Sequence, residues 1–591
     1  MSEKLLENNF FTKSYFADFF HCELKLLLKL IKNNLIKHQE LLKDDINVDK
    51  SNDSILADEG ICFDSFVKDF LLSNKKNIID FRKFKTKNYQ EKILLTNFYF
   101  KSQKNNFINP VFKYKNFITE PDYIEVSHQN KTIKIFEIKS FSFDEYDGKS
   151  KKNNIWKYQI DLLFQKFVLE NATKYKVIYF GFYLPNKEYI FKNKLSKNLV
   201  SLIDKIPLKG KNNEFISLFN GYLNNDGIFL NKSSEKKINE KLYLFDDFKP
   251  QNLDLNKPYF CNHCSNCNFF SFCQKRYLND DKENIFKLSK FKIKDKLLWF
   301  NSGYRYIKDV PEKIFEKNNQ KKTEKTINKI DKRVNIAFLQ YKLIVDNIKE
   351  YIDLNVLENI LNQYQNKIFM IDFETINLVV PQFKSTKPHE QVPFLYSIHV
   401  IDKNGNIIVH KTHIEDPKNF SLTNFIKKFV DSLEFSNDNT YVAYWKSFEQ
   451  GICNFMLKYL KSKSKNKYEK EINILKNIID KFFDLIDFFH PNIQKKTKIG
   501  YFARDFYGKT SIKYVLPSVN KNFSYKNLNI QNGMEAMNTY RKFLPYYNDV
   551  KKSLTSEDWV KHKNDLLKYC ELDTLAMVEI YIFLLKIAKK I

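Results

Sequence analysis

Two acids spaced by one residue, Asp372 and Glu374, close the apolar run Ile368 to Ile371. Such a run predicts a buried strand, and on a strand residues i and i+2 point to the same face. Two carboxylates side by side at the end of a buried strand repel. An oxygen-ligated Mg²⁺ or Mn²⁺ is the usual means of neutralising them. A second pair able to do chemistry is Tyr569 and Asp573, inside a predicted helix over 564–587. Residues at i and i+4 share a helix face, so a phenol could orient a water while the carboxylate one turn on holds a metal. Between these pairs a predicted strand beginning at Tyr441 runs into a short loop and the acid Glu449, and Asp487 follows further on. An isolated Asp-x-Glu is most simply a solvent-facing pair on an edge strand, and an isolated helical Tyr packs with its hydroxyl at the surface. The ordered combination points to a metal site.

Chemistry is also written into the first half of the chain. Asp122 to Val126 and Thr132 to Ser140 alternate like two strands joined by a turn over 127–131. Asp122 opens one, and Glu137-Ile-Lys139 closes the next with Glu137 and Lys139 on one face. The carboxylates could bind Mg²⁺, and the Lys139 ammonium could position a water or offset charge on a phosphate. Gln165 falls within a predicted helix over 154–169. Of eight cysteines, four are clustered as Cys261-x2-Cys264-x2-Cys267-x5-Cys273, and Cys22 stands far upstream. This distribution suits metal or cluster ligation in a reducing compartment better than a disulfide framework. Zn²⁺ held by the local cysteines alone is one reading. Cys62, Cys453 and Cys570 have no partners at ligand spacing and read as core; His263 and His490 read as structural.

The elements that must position these residues divide the chain into three regions. Residues 1–280 mix helix and strand patterns, starting with an amphipathic helix over 16–36 and closing on the cysteine cluster. Residues 281–365 read as a charged helical linker region, with the stretch 312–333 rich in Lys, Asn and Glu. Residues 366–591 run from the Asp372 strand to the final helix. With 591 residues, 43% of them hydrophobic, the chain is long enough for several cores and too apolar to be disordered. The net charge of +28 favours polyanionic partners, nucleic acid first, although an abundance of Lys, Asn, Ile, Phe and Tyr also suits an AT-rich coding bias. The first ten residues lack the basic start and apolar core of a signal peptide, and no apolar stretch is long enough to span a bilayer. The expected location is the cytoplasm.

Asp372-x-Glu374, Phe448-Glu449 and Tyr569-x3-Asp573 resemble, in order, the three motifs of the DEDD superfamily of 3′–5′ exonucleases in the Tyr variant. The wider context, from Ile371 to Ser397 and over 511–517, is similar to an uncharacterised bacterial domain family related to those nucleases. Glu449 stands where Asp is usual, and Trp445 where an Asn often precedes it, which makes Asp487 the alternative ligand under this resemblance. The resemblance implies a ribonuclease H-like core in which Asp372, Glu374, Glu449 and Asp573 hold two ions and Tyr569 orients the attacking water. Pro121-Asp122, Glu137-x-Lys139 and Gln165 resemble the PD-(D/E)XK core of RecB-type nucleases. Gly60-Ile-Cys-Phe-Asp64 is similar to their first motif, with Asp64 in place of His or Glu. RecB-like nucleases of the AddB type bind a [4Fe–4S] cluster through one Cys before the core and three after it. That layout implies ligation by Cys22, Cys267 and Cys273, with Cys261 or Cys264 as the fourth. The fold class expected is therefore a multidomain α/β protein: a restriction-endonuclease-like core followed by a ribonuclease H-like one. The expected function is metal-dependent hydrolysis of nucleic acid, DNA before RNA; the alternative is a nucleic-acid-binding or scaffold protein with one or both cores inactive.

Overall fold

A computed structural model describes residues 10–36, 41, 53–85, 88–141, 152–203, 205–209, 215–220, 232–246, 248–249, 252–278, 283–317, 335–365, 367–434, 436, 438–464, 466–491, 498–521, 523–545 and 555–589. The protein is α/β with mixed sheets. The chain divides into two compact units: Met1–Tyr277 with Leu378–His389, and Leu278–Asn377 with Glu390–Ile591. No helix among the described residues is long and apolar enough to cross a membrane.

In the first unit, the expected helix over 16–36 is two helices, α1 (Lys13–His21) and α2 (Glu23–Lys32). The break is at Cys22, whose backbone is extended (φ −166°, ψ 120°). The apolar spacing runs through the break because both helices bury the same kind of residue, Phe16 and Phe19 on one side of it and Leu24, Leu27 and Leu28 on the other. A long helix α3 (Asp53–Asn74) precedes the short strands β1 (Ile78–Asp80) and β2 (Asn106–Ile108), with α4 (Tyr89–Lys101) between them. The expected hairpin is present as β3 (Tyr123–Ser127) and β4 (Thr132–Ile138). The crossover helix α5 (Lys152–Thr173) then leads to β5 (Lys176–Pro185), parallel to β4, and β6 (Val200–Ile203) completes a six-stranded sheet ordered β1-β2-β3-β4-β5-β6. Phenylalanines and branched aliphatics from α1, α5 and the sheet form its core. The cysteine cluster closes on α6 (Phe270–Leu278).

Residues 281–365, read from their charge as a linker region, fall within the second unit. Helices α7 (Asn335–Val345) and α8 (Leu354–Leu361) contribute Ile336, Leu343, Leu357 and Ile360 to its core. Gln340 accepts from the Ser289 backbone at 2.9 Å, and Arg504 pairs with Glu283. Most of the 312–333 stretch lies outside the described residues. The sheet is ordered β9-β8-β7-β10-β11, from β7 (Lys367–Asn377), β8 (Gln391–Ile401), β9 (Ile407–Ile414), β10 (Asn439–Ala443) and β11 (Phe482–Asp484). Pairings β7/β8 and β8/β9 are antiparallel; β7/β10 and β10/β11 are parallel. Strand β7 is central, so Ile368 to Ile371 are buried on both faces, which explains an unbroken apolar run where a half-exposed strand would alternate. Helices α9 (Leu422–Asp431), α10 (Ser447–Lys463), α11 (Glu469–Lys481), α12 (Ile512–Val519) and α13 (Gly533–Arg541) follow in turn. The final helix α14 (Ser556–Ile587) starts from a capping box between Thr555 and Asp558 and packs on β7 and β8.

Candidate metal and catalytic sites

Strand β7 and helix α14 bring Asp372, Glu374 and Asp573 together: one carboxylate oxygen from each lies within 4.8 Å of the other two. The register between β7 and β8 shifts between Glu374 and Thr375, opposite Leu395 and Pro393. Pro393 has no N–H to give the ladder, and a bulge here re-aims the strand beside the acids. Gly533, the first residue of α13, leaves room for Glu374: a Cβ there would stand 3.3 Å from Glu374 Oε2. Glu374 thereby sits beside the positive end of that helix. Glu449, in the first turn of α10, is buried just outside the triangle, and its Oε2 has no hydrogen-bond partner. Asp487, the alternative, is buried elsewhere, where its charge acts on Asp484, Tyr364 and His490.

Burial and mutual repulsion push Asp372, Glu374 and Glu449 well above the ordinary carboxylate range. Asp573 is raised by burial too, against hydrogen bonds from Tyr525 and Tyr569 and the charge of Lys513. Tyr569 thus reaches the carboxylate one turn on, as its spacing predicts. Three further residues at the site have weaker sequence signals. Tyr525 donates to Asp573 Oδ1 at 2.6 Å from a three-residue 3-10 turn, too short to carry a periodic signal. The Cys570 thiol, expected to be core and indeed fully buried, points at Asp372 Oδ2 at 3.4 Å. Lys513, in a segment noted in the sequence without a role, faces Glu374 and Asp573.

At the rim, Trp445 is 55% and Phe448 40% exposed. Trp445 has a left-handed backbone (φ 72°), held there by Asp484, which accepts the Trp445 and Lys446 N–H groups at 2.8 and 3.1 Å. For a bulky residue this conformation costs roughly 1–3 kcal/mol, and such strain clusters at functional sites.

The first unit also assembles its predicted residues. Gln165 on α5 donates to Glu137 Oε1 at 2.7 Å, Lys139 bonds Glu137 Oε2 at 2.8 Å, and Lys13 pairs with the same oxygen at 3.1 Å. Asp122 accepts the Ile138 N–H at 2.7 Å, which locks the end of β4 against the start of β3. Lys68 bridges Asp64 at 2.7 Å and Asp122 at 3.8 Å, so Asp64 reaches the same site through a lysine. Burial alone would raise Glu137, but Lys13, Lys139 and the hydrogen bonds of Lys139 and Gln165 hold it below the carboxylate range. Asp122, buried next to Glu137, is raised to about 6. This site is compensated by its own lysines; the Asp372 site consists of acids, none of which makes an ion pair among the described residues.

Cys22, Cys261, Cys264, Cys267 and Cys273 line one cavity of about 520 Å³. The Cys22 thiol donates to the Tyr259 carbonyl at 3.8 Å, and the Cys261 and Cys264 sulfurs are 3.9 Å apart. No three of these sulfurs lie within 4.8 Å of one another. Cys62 and Cys453 are buried, as expected of core residues. His263 lies against His21 with ring centroids 3.9 Å apart and ring planes tilted by 43°, and His490 Nε2 accepts from the Lys290 ammonium at 3.0 Å.

Fold and sites together define a two-unit α/β protein that carries one carboxylate–lysine site, one carboxylate site and one thiol-lined cavity. A model of a domain of unknown function (DUF2779) matches residues 369–511, a span that includes Asp372, Glu374 and Glu449 and ends before Tyr569 and Asp573. The chain is similar to the uncharacterized protein MG366 of Mycoplasma genitalium, 25% identical over 81% of this chain and 78% of the relative. It is also similar to the uncharacterized protein UU173 of Ureaplasma parvum serovar 3, 27% identical over 38% of this chain and 32% of that protein. The Mycoplasma pneumoniae homolog of MG366 is 27% identical over 45% of this chain and 39% of its own length. No solved structure matches the chain.

Proposed function

We propose that the protein is a metal-dependent nuclease that hydrolyses phosphodiester bonds of nucleic acid, DNA before RNA, at the Asp372–Glu374–Asp573 site. The observation that carries this reading is the convergence of three carboxylates, without an ion-pairing base, on a strand end and the facing helix. A buried, all-oxygen cluster of this charge fits Mg²⁺ or Mn²⁺. When bound, such ions supply an activated water and neutralise charge on the leaving oxygen. Asp372, Glu374 and Asp573 would hold them, with Glu449 able to swing its unpaired oxygen toward the same place. Tyr569 would orient the water, and Tyr525 fixes the Asp573 carboxylate. The mixed five-stranded sheet with its acids on the central strand agrees with what the ribonuclease H-like resemblance implies, and the resemblance implies 3′–5′ exonuclease chemistry.

The first unit supports a RecB-like nuclease module by its residue set, with [4Fe–4S] ligation at the cysteines as a structural element. A second reading has its own support there: Lys13 and Lys139 already neutralise Glu137, as in a module that binds nucleic acid without cutting it. The test is cleavage of end-labelled single- and double-stranded DNA and RNA with Mg²⁺ or Mn²⁺. Asp372→Ala with Glu374→Ala should abolish it, and Asp122→Ala with Lys139→Ala should leave the ladder from the second unit intact. Undiminished cleavage by both double variants would overturn the proposal.

The exposed, strained Trp445 gives a binding prediction. Stacking of a nucleobase on an aromatic ring is worth about 1–3 kcal/mol, so Trp445→Ala should weaken single-stranded oligonucleotide binding by about 5- to 150-fold. Fluorescence anisotropy without divalent ions measures this, and equal affinity for wild type and variant would remove Trp445 from the interface.

A further inference from the structure

We propose that His399, His410 and Glu571 form a second, separate metal site that takes a zinc-class transition ion. One donor atom from each of the three lies within 4.8 Å of the other two. His399 on β8 and His410 on β9 are directly paired across the sheet, with ring centroids 4.3 Å apart, and Glu571 reaches His410 Nδ1 at 3.8 Å from α14.

Hydrogen bonds behind the rings engage one nitrogen of each. Thr574 Oγ1 lies 3.0 Å from the Glu571 carbonyl one turn back and 2.8 Å from both Ser397 Oγ and His399 Nδ1, and Ser397 Oγ lies 2.9 Å from His410 Nε2. The metal-binding arrangement is the one in which Thr574 donates to the carbonyl and Ser397 to Thr574, so that both imidazoles donate to the hydroxyls and keep lone pairs at His399 Nε2 and His410 Nδ1. A ligating histidine whose other nitrogen donates to a fixed partner is the arrangement that orients metal sites.

Two imidazoles and one carboxylate suit Zn²⁺, which leaves a fourth position open, and do not suit Mg²⁺. Bonds of about 2.0–2.2 Å around zinc place ligand atoms about 3.4 Å apart. Glu571, 48% exposed, and His410, 23% exposed, can close that distance; the rings lie within 21° of parallel, so His410 rotates as it closes. Glu571 and Asp573 are about 200° apart around the helix, so this ion is distinct from those at the acid cluster. Zinc here would fasten to the sheet the turn of α14 that carries Tyr569 and Asp573.

The test uses full-length, metal-depleted protein titrated with Zn²⁺ and Co²⁺, and the variants His410→Gln and Glu571→Gln. Wild type should bind one more zinc equivalent than either variant. Its Co²⁺ spectrum should include weak bands of nitrogen and oxygen ligation, without thiolate charge transfer, that both variants lose. Equal stoichiometry and equal spectra in folded variants would overturn the site. Should a variant misfold, a wild-type spectrum with thiolate-ligated cobalt alone overturns it equally.

Discussion

Asp372→Asn combined with Glu374→Gln is expected to stabilise the metal-free protein while removing its divalent-ion response and lowering hydrolysis about 10³-fold, the loss of several kcal/mol of metal-derived stabilisation. Burial and repulsion raise Asp372, Glu374 and Glu449 in the folded state. A carboxyl whose folded value is raised holds a proton that the unfolded chain has released. Its favourable contribution is complete below the unfolded value of about 4 and is lost as pH rises through the folded value. The metal-free wild type should therefore lose stability, relative to the amide variant, between about pH 4 and the raised folded values. The gap in Tm should be widest at pH 8 and close toward pH 4. Addition of Mg²⁺ or Mn²⁺ at pH 8 relieves the same repulsion. At 100 times Kd it is worth about 2.7 kcal/mol, and at about 2–4 °C per kcal/mol the wild-type Tm should climb by about 5–10 °C. The variant should not respond. A Tm gap independent of pH, or equal metal responses, would mean that the acids do not share a cation.

The acid pair on β7 and the Tyr569–Asp573 helix were legible in the sequence because their geometry is local. Period 2 on a strand and period 3.6 on a helix place side chains without any tertiary information. Cys570 shows where this ends. Its burial was readable from α14, but its contact with Asp372 depends on which strand that helix covers. Tyr525 comes from a single 3-10 turn, and His399 meets His410 only through the register of β8 and β9, which no local pattern encodes. Within 281–365, Ile336, Leu343, Leu357 and Ile360 place two helices in the core of the second unit, a pattern that the many charges of the segment mask in the sequence. The break at Cys22 was hidden for a related reason, since one extended residue barely disturbs a run of apolar spacings.

That break also makes Cys22 the residue on which the thiol cavity depends. Among the described cysteines it alone comes from the start of the chain, and its extended backbone turns the side chain toward Cys261 and the Tyr259 carbonyl. Around it, Leu24, Leu27 and Leu28 pack with Phe269, Phe272 and Cys273 in a small core separate from that of the sheet. A satellite core of this size gains much from a covalent clasp between its two segments. Zinc at about 2.3 Å from each sulfur needs thiolates about 3.8 Å apart, all pairs alike. Cys261 and Cys264, 3.9 Å apart, match that spacing, and the cluster reading rests on Cys22 lining the same cavity as the late cysteines. If the site holds the proposed [4Fe–4S] cluster, protein purified without air should be brown and contain iron and acid-labile sulfide. Cys22→Ser should lose both, and limited proteolysis should then cut within the first unit while the second unit stays intact. Cys261→Ser and Cys264→Ser should differ, since only one of the two completes a four-thiolate set with Cys22, Cys267 and Cys273. Colourless protein with stoichiometric zinc, unchanged by Cys22→Ser, would assign the site to a local zinc knuckle and leave Cys22 as a packing residue at a helix break.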